Sequence, residues 1–184
     1  MRVICVFCGA SDDVVLQYKR LASECGEAIG KNGYGLLYGG GASGLMGAVA
    51  KSATMHGAPV TGVFPTADLN PHDVMNQELG EAILVKSLSE RKDIMIKRAD
   101  AFVILPGGFG TLDEFFEIVT LKKLGVHNKP IILVNYGEFW APLLTLMEHI
   151  CDTHFAKLNL NSSICAVVKS VEEAFFLLRN STAV

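Results

Sequence analysis

The sequence predicts an α/β protein: a doubly wound, mostly parallel sheet flanked by helices, in one domain spanning residues 1–184. Three observations predict it. Short apolar runs alternate with helical patterns along the chain, which gives a parallel sheet with helices on both sides. Several runs are apolar at every position, as strands covered on both faces are. Two glycine-rich segments fall where a strand hands over to a helix, the end of such a sheet at which ligands bind.

The strands are expected at Val3–Cys8, Gly35–Tyr38, Pro59–Phe64, Ala82–Val85, Ala101–Leu105, Ile131–Asn135 and Ile164–Val168. Helices are expected near 13–32, 44–57, 89–99, 111–124, 139–153 and 171–180. The stretch from Pro65 to Gly80 is the longest irregular one and is expected as a loop over the site.

Composition narrows the function. Half of the 184 residues are hydrophobic, enough for a real core. The net charge of −3 and the lack of a basic stripe argue against nucleic acid. No apolar stretch approaches the ~18 residues of a membrane span. The N-terminal apolar run is short and leads to Asp12-Asp13, without a signal-peptide layout, so a cytoplasmic protein is expected. Five cysteines do not suggest a disulfide framework. Cys5 and Cys8 form a CxxC, but residues three apart on a strand face opposite sides. The histidines are scattered, so no metal site is expected, and no cofactor either.

The segment Pro106-Gly107-Gly108-Phe109-Gly110-Thr111-Leu112-Asp113-Glu114 carries the most information. Its glycines let the backbone approach a ligand closely. The helix start that follows presents free N–H groups and partial positive charge, which suits a phosphate. Glu114 is expected in the first turn, as a catalytic acid or as a carboxylate that complements the helix dipole. Glu114, Glu117 and Thr120 share one helix face by their spacing.

The earlier segment Gly39 to Gly47 contains a GxGxxG at Gly39, Gly41 and Gly44. No acid stands at the next strand end for a dinucleotide ribose, and no Gly-Lys-Ser/Thr follows. The segment is either a tight turn with close helix packing or, as favoured, a backbone cradle for phosphate or ribose through Gly41, Ser43 and Gly44. Ser89 is expected to cap the helix that carries Arg91 and Lys92. Cations near a helix start oppose its dipole. They are solvated surface charges, or Arg91 clamps a phosphate or ribose oxygen.

Together these segments resemble the LOG ("Lonely guy") family of cytokinin riboside 5′-monophosphate phosphoribohydrolases, often labelled lysine decarboxylase-like. The family pattern of Arg-Lys followed by PGGxGTxxE is matched by Arg91-Lys92, Pro106 to Thr111 and Glu114. Cys5 to Ser11 and Tyr38 to Gly47 are similar to its other motifs, and the likeness runs from residue 3 to about 155. The resemblance implies a Rossmann-like fold and an N-glycosidase. It would cleave a nucleoside 5′-monophosphate, a cytokinin riboside monophosphate or AMP, to free base and ribose 5-phosphate. It implies Arg91 and Glu114 as the catalytic pair, and Gly107, Gly108, Gly110 and Thr111 as the phosphate site. Lys92 and Thr120 would line the substrate site, and Asp73 would stand where the family often has a substrate-contacting Glu. It also implies a homodimer. Leu88-Ser89 and Leu121-Lys122-Lys123 depart from the family pattern near the base pocket or the subunit contact. A non-catalytic nucleotide or molybdenum-cofactor carrier of the same fold is the alternative. Pyridoxal-dependent lysine decarboxylation is disfavoured, because no lysine has a recognisable context for it.

Overall fold

The computed structural model describes residues 1–66, 79–156 and 164–181. Within them lie strands β1 (Val3–Phe7), β2 (Gly35–Tyr38), β3 (Val60–Pro65), β4 (Glu81–Val85), β5 (Ala101–Ile104), β6 (Ile131–Val134) and β7 (Ala166–Val168). The helices are α1 (Leu16–Lys31), α2 (Gly44–Met55), α3 (Leu88–Arg98), α4 (Phe109–Lys123), α5 (Ala141–Asp152) and α6 (Val171–Asn180). Every expected strand and helix is present. The seven strands form one sheet in the order β4-β3-β2-β1-β5-β6-β7, and every pairing is parallel. The chain winds outward through β2, β3 and β4, then returns to β5 beside β1 and winds the other way. The β1/β5 boundary is therefore the topological switch point, where a crevice opens at the carboxyl ends of the strands.

Each face of the sheet has its own core. On one face α1, α2 and α6 pack Leu21, Cys25, Val49, Ala53 and Phe175 onto Ile4, Val6, Tyr38 and Val103. On the other, α3, α4 and α5 pack Met95, Phe115, Ile118 and Met147 onto Cys5, Phe7, Leu37 and Phe102. Strands β2, β5 and β6 are buried at every position, which accounts for their continuous apolar runs. Cys5 and Cys8 belong to opposite cores, as strand periodicity requires.

Two local devices set the helices that matter for the site. Ser87 caps α3, accepting from the Glu90 N–H at 3.1 Å, while Glu90 accepts from the Lys86 N–H at 2.7 Å. This S-x-x-E arrangement replaces the expected cap at Ser89, which is exposed on the first turn. At the other end of α3, Lys129 donates to the carbonyls of Ile96 (2.6 Å) and Lys97 (3.1 Å). Helix α4 starts at Phe109, two residues earlier than expected, because Gly108 is extended and the turn through Phe109-Gly110 is already helical. Glu114 consequently sits in the second turn rather than the first. Asp73 and most of the expected loop over the site lie outside the described residues.

Helices α1 and α2 cross closely at Gly26. A side-chain carbon there would lie 2.3 Å from the Val49 carbonyl oxygen and 2.8 Å from the Ala53 nitrogen. Gly26→Ala should therefore lower the urea midpoint, with a loss of about 1–3 kcal/mol from overpacking that outweighs alanine's helix propensity. An unchanged or higher midpoint would show that this contact does not constrain the pair.

Candidate active site

The two glycine segments have different jobs. At the first, the N–H groups that open α2 are already taken. Asp12 from the β1–α1 loop accepts from Gly44 at 2.9 Å, and the Gly9 carbonyl accepts from Leu45 (3.0 Å) and Met46 (3.3 Å). The Gly44 N–H and Lys19 beside it hold the Asp12 carboxyl below its ordinary range. Gly44 adopts φ +58°, and a side-chain carbon there would lie 2.5 Å from the Ala10 carbonyl carbon. This junction locks α2 against the first loop, so the Gly44 N–H is not open to a ligand. Gly41 and Ser43 stay half-buried beside it.

The second segment is open. Among the described residues, nothing accepts from the N–H groups of Phe109, Gly110 or Thr111, and Gly108 supplies no side-chain cap. Gly108 and Gly110 are exposed, and a side-chain carbon on either would meet nothing within 4 Å. Three backbone donors at the positive end of α4 thus have no acceptor among the described residues, the arrangement that holds an anion. The loop is fixed from below. The Gly9 N–H donates to the Pro106 carbonyl at 3.0 Å, and the buried Thr111 hydroxyl sits where a side chain on Gly107 would have to go.

Arg91 and Glu114 meet beside this loop. Arg91 Nη2 donates to Glu114 Oε1 at 3.1 Å, with side-chain exposures of 15% and 11%. Desolvation pushes the Glu114 carboxyl up to about 7; Arg91 opposes the rise, Asp113 and Glu117 add to it, and Lys92 opposes it. The Arg91 Nε is buried and has no hydrogen-bond partner among the described residues. Gly39 makes room for it, because a side-chain carbon there would lie 2.0 Å from Nη2. The first glycine of the GxGxxG therefore serves the arginine, a role its spacing did not reveal.

Lys92 is held by Asp113 at 2.8 Å and lies 2.7 Å from Glu117 Oε2. The second contact is an ion pair without hydrogen-bond alignment, since that oxygen has no aligned donor. The Asp113 hydrogen bond, and then Glu117, raise the Lys92 pKa. Along α4, Glu114 is buried, Glu117 half-buried and Thr120 exposed, so the face runs from the interior to the surface. The structure thus gathers Arg91, Lys92, Glu114, Glu117, Gly107, Gly108, Gly110 and Thr111 at the carboxyl ends of the central strands. Thr120 stands two turns away, and Asp73 is not described. Sequence reasoning missed Gly39, Asp12 and Asp113. The S-x-x-E at Ser87 was a legible sign of where α3 begins, and hence of where Arg91 points.

A buried ionised carboxylate with its partner removed is costly. Because the raised Glu114 pKa favours the protonated form in the fold, that form's stability advantage is complete below the ordinary carboxyl range and lost as pH rises through about 7. Arg91→Ala should therefore cost roughly 3 kcal/mol at pH 8 and clearly less at pH 5. Adding Glu114→Gln should recover most of the loss at pH 8. Equal losses at both pH values in urea unfolding would contradict the pairing.

Known proteins agree with this architecture. A family model described as "possible lysine decarboxylase" matches residues 46–178. A rice (Oryza sativa subsp. japonica) protein named probable cytokinin riboside 5′-monophosphate phosphoribohydrolase LOG4 is 43% identical over 148 residues. That match covers 80% of this chain and 64% of the rice protein, so the chain spans just under two thirds of that relative. The cytokinin riboside 5′-monophosphate phosphoribohydrolase of Rhodococcoides fascians is 38% identical over 177 residues, covering 96% of this chain and 89% of that protein. The molybdenum cofactor binding protein of Rippkaea orientalis shares the fold, with a TM-score of 0.72 at 22% identity over 97% of this chain and 95% of that one. The family model and these relatives show that the chain belongs to the LOG family, whose model carries the lysine decarboxylase description.

Proposed function

We propose that the protein is an N-glycosidase that hydrolyses a nucleoside 5′-monophosphate, a cytokinin riboside monophosphate or AMP, to free base and ribose 5-phosphate. The observation that carries this reading is the buried Arg91–Glu114 pair set beside the uncapped start of α4. The relatives' names supply the reaction class.

In this reading the 5′-phosphate sits on the N–H groups of Phe109, Gly110 and Thr111, approached closely through Gly107 and Gly108. Lys92 adds positive charge from α3, while Gly41 and Ser43 border the ribose side. Water adds at the anomeric carbon as the bond to the base nitrogen breaks, and the base leaves carrying a proton. The transition state is oxocarbenium-like, so a carboxylate at the anomeric carbon stabilises it. Glu114 provides that carboxylate and takes the proton from water. Arg91 fixes Glu114 through Nη2, and its charge orients the ribose phosphate. Glu117 and Asp113 act through Lys92 by holding it in place, and Thr120 and Asp73 complete the substrate's surroundings.

The working unit is a single-domain cytoplasmic homodimer. Its support is an apolar stripe on the outer face of α4, with Phe109 92%, Phe116 37% and Leu124 70% exposed, and five unbridged cysteines. No helix among the described residues is long and apolar enough to cross a membrane. The carrier alternative shares the fold but gives no reason to bury a carboxylate against an arginine. Tight pterin binding without turnover would favour it.

Glu114→Gln should lower base release by at least about 100-fold, the usual scale for a proton-transferring group, while leaving the thermal midpoint near that of the parent. Retained turnover would overturn the assignment. Since the ionised form acts, kcat/KM for the parent should rise with pH through a midpoint near 7. A profile flat from pH 5 to 9 would contradict it.

A further inference from the structure

The phosphate loop has a second side. The sheet order puts β2 and β6 on opposite sides of the β1/β5 pair. Arg91, lodged over Gly39 at the end of β2, marks the side on which the ribose would lie. On the β6 side, the same Gly107-Gly108 backbone forms the floor of a recess of about 390 Å³. Its walls are Val14, Val15 and Tyr18 at the start of α1 and Phe139 after β6. None of these residues belongs to the hydrolytic site.

The recess has the chemistry of a ring pocket. Its walls are almost wholly apolar, and its size is on the order of a small-ligand site, about 300–1,000 Å³. Tyr18 and Phe139 meet edge to face, with ring centroids 5.5 Å apart and planes at 74°. Both are only half-buried, and Val15 is 58% exposed. Such a corner offers one ring face and one ring edge to a third aromatic group. Ser11 stands at the border with the loop; its oxygen accepts from the Asp13 N–H at 3.2 Å, which leaves its proton to donate.

A nucleoside monophosphate whose ribose lies at Glu114 ends at the loop and leaves this recess empty. A group esterified to the same phosphate would emerge into it. We propose that the recess between α1 and Phe139 is a binding subsite for an aromatic group attached to the nucleotide's 5′-phosphate, so that the protein binds nucleoside 5′-phosphodiesters carrying an aromatic alcohol. This inference rests on the phosphate placement proposed above.

The test compares the phenyl and methyl esters of AMP, which carry the same charge and differ only in the group aimed at the recess. By calorimetry, the phenyl ester should bind at least about tenfold tighter, the effect of burying one ring. Val15→Arg, at an exposed position, and Phe139→Ala should each bring the two esters within about twofold, while AMP affinity stays within about twofold of the parent. Equal affinity for the two esters in the parent protein would overturn the proposal, as would no binding of either. A Val15→Arg variant that loses AMP as much as the phenyl ester would also overturn it, by placing the nucleoside itself in the recess. Because binding is read without turnover, a phenyl preference in a protein that never releases base would leave the recess standing and remove the hydrolase reading.

Discussion

The structure turns on one carboxylate taken out of water. Glu114 sits 11% exposed on the second turn of α4, and burial lifts its pKa to about 7. Arg91 is what makes this tolerable. Without that guanidinium, the charge would lose its one direct ion-pair partner among the described residues. Several features of the fold serve the pair. Gly39 vacates the space the arginine fills, Ser87 and Lys129 fix the two ends of its helix, and Asp113 and Glu117 hold Lys92 on the flank. A buried, paired acid beside a helix start that lacks acceptors among the described residues is more than stability alone would require.

Two glycine-rich segments of similar appearance fold into opposite uses. At Gly39 to Gly47 the helix start is closed by Asp12 and the Gly9 carbonyl, and glycine is needed because backbones touch. At Gly107 to Gly110 the helix start has no acceptor among the described residues, and Gly108 and Gly110 border open space. The difference lies in what the first loop reaches. Asp12 extends to α2 and is spent there, whereas the Gly9 N–H reaches only the Pro106 carbonyl and leaves the donors of α4 free. No count of glycines distinguishes a lock from a cradle; the partner of the N–H groups does.

The sequence made the fold legible because its strands are short and continuously apolar, and its helices are separated by clear breaks. Boundaries slipped where a local hydrogen bond outranked composition, as at Ser87 for α3 and at Gly108 for α4. Within the site, the acidic helix face and the Arg-Lys pair could be read from spacing and resemblance. That Arg91 reaches across to Glu114 could not, because it depends on β4 returning to β5 and bringing α3 alongside α4. Gly39 and Asp12 were unreadable for the same reason: each acts on an element distant in sequence, Gly39 on α3 and Asp12 on α2.

The central claim is that this arrangement breaks an N-glycosidic bond and leaves the phosphate ester intact. Proton NMR of the purified protein mixed with AMP tests it directly. Hydrolysis at the anomeric carbon removes the nucleotide's anomeric signal, with adenine and ribose 5-phosphate appearing in equal amounts. Adenosine with inorganic phosphate, or AMP unchanged while still bound at the loop, would contradict it.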